Sequence, residues 1–217
     1  MQAALGDCQF VMGKPPCYSC RVMLRTVHPG IYSFAALLLS MSPLSLCGQA
    51  PEGGVNHESI ETPFYVAGSQ VRTNNADEMA GHGKIGLLWQ NLMQQNLTAQ
   101  IPNRIGDALI VVYSNYASDE KGEYDYLIGA RVSSVDHLPA GMTWRKIESG
   151  AYAVILTDKG QMPGVLQAAW ARIWKMTPAE LGGRRRFVTD FEVYDERSAN
   201  MQNAQVEIHV GLAPESR

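Results

Sequence analysis

Cysteine is missing from most of this chain. All four cysteines lie in its N-terminal part: Cys8, Cys17, Cys20 and Cys47. A folded region after Cys47 therefore contains neither an internal disulfide nor a thiolate metal site. Cys17 and Cys20 have the spacing of one half of a structural zinc site, but the second pair that such a site needs is absent. We interpret their spacing as coincidental.

The chain also lacks the motifs of several enzyme classes. It has no glycine-rich phosphate loop, no GxSxG and no HExxH. His57, His82 and His137 have neither an i, i+4 partner nor an acidic cluster beside them, so we expect no metal and no cofactor. A net charge of −3 gives no bulk attraction to nucleic acid. The basic run Arg184–Arg186 follows two glycines, which favours a solvated loop.

No apolar run is long enough to span a bilayer. The longest, from Phe34 to Leu46, follows Arg25 and is typical of a signal peptide that starts at Met23. We therefore predict that residues 1–22 are an over-long start or a disordered extension. Residues 23–48 are then signal-peptide-like.

The end of that segment resembles a lipoprotein box. Leu44–Cys47 would place a lipid anchor on Cys47, although Leu46 is larger than the residue usual before such a cysteine. Cleavage near Gly48 by a simple signal peptidase is the alternative. A start at Met23 predicts an exported protein, periplasmic or lipid-anchored, and any other start predicts a cytoplasmic one.

After a glycine-rich linker at residues 49–59, the chain divides into two similar halves, each with the order β-α-β-β. We expect one α+β domain over residues 60–212 and a tail at 213–217. The first half is predicted to contain a strand over 64–72, a helix capped by Asp77 and running to Leu97, and strands over 108–113 and 124–132. The second is predicted to contain a strand over 143–156, a helix over 163–175 and a hairpin of 190–197 with 205–212.

Matching the halves isolates one carboxylate. Val112-Tyr113 corresponds to Val193-Tyr194, which places Val111 of the first half opposite Glu192 of the second. A carboxylate among apolar and aromatic neighbours is costly to hold ionised unless a cation neutralises it. The sequence therefore predicts a binding site for positively charged organic molecules, unless Glu192 lies on a solvated surface.

Aromatic residues are placed to complete such a site. Tyr194 lies two residues from Glu192, so strand alternation puts both on one face. The other candidates are Trp89, Tyr113, Tyr126 and Trp170. Each aromatic face adds cation–π attraction of roughly 0.5–2 kcal/mol. Tryptophans in a helix stripe and tyrosines repeated in both halves are also typical of a plain core.

A second carboxylate is the reserve candidate. Glu207 and His209 alternate with the apolar residues Val206, Ile208 and Val210. This pattern is typical of the solvated face of a last strand. Glu207 replaces Glu192 as the pocket carboxylate if that interpretation is wrong.

Residues 60–212 resemble the GyrI-like small-molecule-binding domain, the effector-binding module of AraC-type regulators that also occurs as a stand-alone protein. The resemblance rests on the order and spacing of five segments: Phe64–Gly68, Ile85–Trp89, Tyr126–Gly129, Gly150–Val154 and Phe191–Arg197. It implies two β-α-β-β units related by a pseudo-twofold axis, a curved antiparallel sheet with helices, and a central aromatic-lined cavity. It also implies a buried glutamate that binds lipophilic cations, at Glu192. Residues 1–58 offer no pair of amphipathic helices for DNA binding, which favours the stand-alone form.

We therefore expect non-catalytic binding of lipophilic, cationic, drug-like or dye-like molecules. One alternative, implied by the resemblance, is a hydrolase in which Glu192 is the general base. No second catalytic group is evident in the sequence, which favours binding. Another is a protein-docking module of the gyrase-inhibitor type. We expect no nucleic-acid partner, a membrane contact only through Cys47, and either a monomer or a homodimer.

Overall fold

Residues 54–214 are the part of the chain that the structure, a computed structural model, describes, and they form one antiparallel sheet flanked by short helices. The strands are β1 (Val55–Ile60), β2 (Phe64–Thr73), β3 (Leu109–Ser114), β4 (Tyr124–Val132), β5 (Thr143–Ile147), β6 (Gly150–Leu156), β7 (Thr189–Tyr194) and β8 (Glu207–Gly211). The helices are α1 (Asn75–Met79), α2 (Ile85–Gln94), α3 (Gly164–Ile173) and α4 (Pro178–Leu181). None of these helices is long and apolar enough to cross a membrane. The predictions for residues 1–48, including Cys47, lie outside the described residues.

The strand order shows the internal duplication. The sheet runs β1-β6-β8-β7-β3-β4-β2-β5, so the two halves extend outward from the central pair of β3 and β7 in the same order. The predicted α+β fold of two related β-α-β-β units is confirmed. In the central pair, Val111 lies directly opposite Glu192. The pseudo-twofold axis therefore passes through these two residues, which the sequence repeat also makes equivalent.

The outermost strands are exchanged between the halves. β1 leads into the first half but pairs with β6 of the second, and β5 leads into the second half but pairs with β2 of the first. Residues 55–59, which we expected in a linker, therefore form a strand together with Ile60. The single strand expected over 143–156 is divided into β5 and β6, because Gly150 has a φ of +133° and turns the chain.

The long helix expected from Asp77 to Leu97 is divided as well. Its N-cap is Asn74, whose side chain accepts a hydrogen bond from the backbone N–H of Asp77. A turn that contains Gly81 at a φ of +80° separates α1 from α2. The carboxylate of Glu78 then accepts from the backbone N–H of Lys84 at 2.8 Å and so caps the start of α2.

Both faces of the sheet are buried. On one face, α2 and α3 pack on the strands through an apolar set: Leu88, Leu92, Ala169, Trp170 and Ile173 against Val111, Ile128, Ile155, Ile208 and Val210. On the other, Phe191 and Val112 pack with Ile60, Phe64, Ile147 and Tyr152, which come from β1, β2, β5 and β6. Each fully buried aliphatic or aromatic side chain contributes about 1.5–3 kcal/mol relative to exposure. Val111 lies on the helix-covered face, and paired residues of neighbouring strands share a face. Glu192 therefore lies on the helix-covered face as well.

The expected solvated face of β8 is wrong for His209. Its side chain is buried, and its ring stacks on Phe191 with ring centroids 4.1 Å apart. His209 Nε2 lies 2.9 Å from Glu207 Oε1, and the half-buried Glu207 also accepts from Arg197. The reason is the position of β8, which lies between β6 and β7 instead of at an edge. On an interior strand whose two faces are both covered, alternation of polar and apolar residues does not indicate a solvated face.

Candidate ligand-binding site

Glu192 lies in the central strand pair of the sheet, with 0% of its surface exposed. Three neutral donors surround its carboxylate. Trp170 Nε1 donates to Oε1 at 2.6 Å, the Tyr113 hydroxyl donates to the same oxygen at 2.7 Å, and the Tyr194 hydroxyl donates to Oε2 at 2.8 Å. The two strands and the helix α3 that supply these groups converge on the axis that passes through Glu192.

The structure brings together all six site residues chosen from the sequence: Glu192, Tyr194, Trp89, Tyr113, Tyr126 and Trp170. Trp89 Nε1 donates to the Tyr126 hydroxyl at 3.0 Å, and the rings of Tyr113 and Tyr126 meet edge to face with centroids 5.1 Å apart. We call these six residues the aromatic cage. Whether a ligand enters the cage stays a prediction.

The cage is assembled from both halves by cross-packing. Trp89 of the first half contacts Tyr194 of the second, with ring centroids 5.3 Å apart and ring planes at 58°. Trp170 of the second half contacts Tyr113 of the first, at 5.1 Å and 59°. The two contacts are related by the pseudo-twofold axis, and Glu192 is the residue at the centre that breaks this symmetry. The cage therefore requires both halves.

Local structure explains why these side chains meet. Alternate residues of a strand place their side chains on the same face of the sheet. Residues 190, 192 and 194 of β7 therefore all face the helices, as do Tyr124 and Tyr126 of β4. Trp89 lies on the same helical stripe as Leu88 and Leu92, and Trp170 lies beside Ala169 on the buried side of α3. The apolar faces through which α2 and α3 pack on the sheet thus also place the two indoles in the cage around the carboxylate.

Glu192 differs from the other buried carboxylates of the sheet. Asp190 forms an ion pair with Arg185 at 2.6 Å, and Asp125 pairs with Arg72 at 3.0 Å and with Arg145 at 2.8 Å. Among the ion pairs of residues 54–214, none includes Glu192. Its negative charge is therefore met only by dipoles.

Burial raises the pKa of Glu192 above its ordinary value, and the hydrogen bonds from Trp170, Tyr113 and Tyr194 oppose that rise. Burial and the nearby Glu192 charge raise the pKa of the Tyr113 and Tyr194 hydroxyls well above the usual value of 10.0. The phenols thus stay neutral near neutral pH and act as donors. The cage holds one titratable acid among neutral aromatic groups.

Sequence reasoning missed several neighbours of the cage. Tyr124 is buried, with its ring centroid 5.4 Å from that of Tyr113, and its alternation with Tyr126 was the available signal. Arg185 was expected in a solvated loop, but only 10% of its side chain is exposed because it pairs with Asp190. Arg186 likewise folds back, donating to the hydroxyl of Tyr152. No sequence pattern distinguished these arginines from exposed ones.

The reserve candidate Glu207 lies outside the cage. It pairs with Arg197 at 3.0 Å and with His209, on the opposite face of the sheet from Glu192. Those hydrogen bonds lower the pKa of Glu207, with His209 as the larger cause. Within residues 54–214, no group of three or more His, Cys, Asp or Glu side chains is placed to hold a metal ion.

This fold and cage agree with what the chain resembles in sequence. Residues 60–212 match the family described as integron-associated effector binding protein. The chain belongs to this family. It is 33% identical over 147 residues to YobU of Bacillus subtilis (strain 168), which covers 67% of this chain and 90% of that relative. Residues 60–212 are thus a GyrI-like domain with an effector-binding fold.

Solved structures agree with this family membership. The integron cassette protein VCH_CASS2 of Vibrio cholerae is 31% identical, with a TM-score of 0.58 over 74% of this chain and 96% of that one. The structure of SAV2435 bound to tetraphenylphosphonium has a TM-score of 0.57 at 14% identity, over 73% of this chain and 92% of that one. At that low identity, the second likeness concerns the fold alone.

Proposed function

We propose that this protein binds lipophilic organic cations, with Glu192 as the charge that recognises them. One observation carries the proposal: Glu192 is fully buried and, alone among the buried carboxylates on strands β4 and β7, has no guanidinium partner within residues 54–214. An uncompensated buried charge is destabilising, so its presence at the centre of the fold calls for a function.

The physical chemistry of the cage favours a large, weakly hydrated cation. Such a cation loses little hydration on entry, whereas a compact ammonium or metal ion loses much more. Aromatic faces from Trp89, Tyr113, Tyr126 and Trp170 each add roughly 0.5–2 kcal/mol of cation–π attraction. Charge attraction and apolar contact depend little on the exact shape of the ligand. We therefore expect the cage to bind several chemically different cations.

The contacts at the carboxylate favour binding over the hydrolase alternative. A general base needs an oxygen within reach of the water that it activates. Glu192 Oε1 already accepts from both Trp170 and Tyr113, so only Oε2, which accepts from Tyr194, has an acceptor position left for a water. SAV2435, which shares this fold, was solved bound to tetraphenylphosphonium, and we propose that this chain takes the same class of ligand.

Tetraphenylphosphonium and tetraphenylborate test the proposal because they share size and shape but differ in the sign of charge. We expect the phosphonium to quench tryptophan fluorescence on binding and the borate to bind at least tenfold more weakly. The substitution Glu192→Gln keeps an acceptor and removes the charge, and we expect it to weaken phosphonium binding at least tenfold, about 1.4 kcal/mol.

The matched control is Glu207→Gln, which removes another strand carboxylate outside the cage. We expect phosphonium affinity within about twofold of the wild type, or less than 0.5 kcal/mol. Equal affinity of the wild type and Glu192→Gln for the phosphonium overturns the proposal.

A further inference from the structure

We infer that the preferred ligand carries a hydrogen-bond acceptor as well as a positive charge, and that Arg185 is the residue that binds this acceptor. The inference rests on the proposed function, since it assigns a second recognition group to the same aromatic site. It narrows the ligand class from any lipophilic cation to an amphoteric or acceptor-bearing aromatic cation.

Arg185 is a buried guanidinium with most of its donors unused. Only 10% of its side chain is exposed, and its one hydrogen bond to the described residues runs from Nη2 to Asp190 Oδ2 at 2.6 Å. Nε and Nη1 are buried and have no hydrogen-bond partner within residues 54–214. A guanidinium offers five N–H donors, and each polar group left buried and unsatisfied is destabilising.

Asp190 does not meet that demand. Its Oδ2 also accepts from the Tyr116 hydroxyl at 2.7 Å, and its Oδ1 accepts from the backbone N–H of Gly211 at 2.8 Å. Both oxygens are thus committed, and the carboxylate cannot turn toward Nε or Nη1 without losing these bonds. Asp190 balances the charge of Arg185 but leaves its donors available to an acceptor.

Arg185 borders the aromatic cage. Its guanidinium carbon lies 5.8 Å from the ring centroid of Trp170, the same indole whose Nε1 donates to Glu192. The guanidinium carbon also lies 4.3 Å from the ring centroid of Phe187. One tryptophan therefore contacts both the unpaired carboxylate and the unsatisfied guanidinium. A ligand bound beside this indole lies near a negative group and a donor group together.

A second series of aromatic rings connects the Arg185 guanidinium with the aromatic cage around Glu192. The ring of Tyr116 lies 5.7 Å from that of Phe187 and 5.7 Å from that of Tyr124, and Tyr124 contacts Tyr113 of the cage. By the same repeat, Leu109 of the first half corresponds to Asp190, and Arg104 corresponds to Arg185. Arg104 donates to the backbone oxygens of Thr98 and Asp107 instead of to a carboxylate. Among residues 54–214, the buried guanidinium–carboxylate pair therefore lies on one side of Glu192 only, and it orients a ligand with one acceptor end.

Two xanthylium dyes separate this inference from the proposed function. Tetramethylrosamine is a lipophilic cation, and tetramethylrhodamine is the same dye with one added carboxylate. We expect wild-type protein to bind the rhodamine at least as tightly as the rosamine. Arg185→Lys keeps a positive charge beside Asp190 but lacks the planar donors. We expect it to reduce rhodamine affinity at least tenfold relative to rosamine affinity.

Arg184→Lys is the matched control, because Arg184 is an exposed neighbour outside the ion pair. It should leave the rhodamine-to-rosamine ratio unchanged. The same ratio in wild type and Arg185→Lys overturns the inference, and the proposed function stands if Glu192→Gln still weakens the rosamine. Should Arg185→Lys fail to fold, the wild type alone decides: rhodamine bound more than tenfold more weakly than rosamine rejects the inference. Binding of neither dye rejects the inference, and the phosphonium titration of the wild type and Glu192→Gln then decides the proposed function.

Discussion

Two buried carboxylates on one strand have different kinds of partner. Asp190 and Glu192 both lie on β7, face the helices and have no exposed surface. Asp190 is neutralised by Arg185, whereas Glu192 receives only hydrogen bonds from neutral groups. An opposite charge therefore lies beside the first carboxylate, whereas burial raises the pKa of the second above its ordinary value.

The stability of the protein should depend on pH through Glu192. Burial raises the pKa of Glu192 in the folded state above the unfolded value near 4.5. Its contribution to stability is therefore complete below the unfolded pKa and is lost as the pH rises through the folded pKa. We expect the free energy of unfolding of the wild type to fall relative to that of Glu192→Gln over this range. Urea denaturation at a series of pH values measures it, and a constant difference between the two proteins contradicts the expectation.

Ligand affinity should change in the opposite sense. A protonated Glu192 carries no charge, so affinity for a permanently charged phosphonium should weaken as the pH falls below the raised pKa. One proton limits the slope to about tenfold per pH unit. Fluorescence titrations with tetraphenylphosphonium across pH test this. Glu192→Gln should give a flat profile, and an equal slope in that variant assigns the dependence to another group.

At the scale of the elements, β2 and β4 come unusually close where two glycines face each other. Gly68 pairs with Gly129, and a Cβ added to Gly129 would lie 1.9 Å from the backbone oxygen of Ala67. Backbone cannot give way as a flexible side chain does. These glycines therefore let β2 and β4 cross tightly at the point where β5 also joins β2.

Alanine substitutions at two glycines should have opposite effects. Gly129→Ala forces strand backbones apart, and we expect it to reduce the free energy of unfolding by about 2 kcal/mol or more. Gly86 lies in α2 with open space around its Cβ position, so Gly86→Ala should stabilise the fold by about 0.5 kcal/mol. Chemical denaturation of both variants measures the difference. Similar small effects at both sites contradict the assigned close approach.

At the scale of the whole molecule, the exchanged edge strands tie the halves together. β1 and β5 are each the edge strand of the half that they do not precede. The central pair of β3 and β7 joins the two halves of the sheet. Neither half closes its own sheet from its own sequence. Folding of one half should consequently require the other.

We expect a single cooperative unfolding transition. Trp89 and Trp170 report on α2 and α3 in different halves, while far-UV circular dichroism reports on the whole sheet. The two signals should coincide throughout a urea titration because the halves unfold together. Separate midpoints, with one half melting first, contradict the role given to the exchanged strands.

How much the sequence predicts depends on whether a feature repeats. Trp89 with Trp170, and Tyr113 with Tyr194, occupy matching places in the two halves, so the repeat and strand alternation predict the cage around Glu192. β1 gives no such signal, since four of its six residues are exposed along a sheet edge and only Ile60 is buried. The burial of Arg185 depends on a contact with Asp190 that a loop sequence does not encode in any period.

The pairing of Val111 with Glu192 has a consequence for how such a protein can arise. A residue on a twofold axis meets its own copy, so a dimer of identical halves would place two carboxylates side by side, where like charges repel. Joining the halves in one polypeptide removes that constraint. A single chain can mutate one copy and spare the other, which lets a solitary anion occupy a position that strict symmetry forbids.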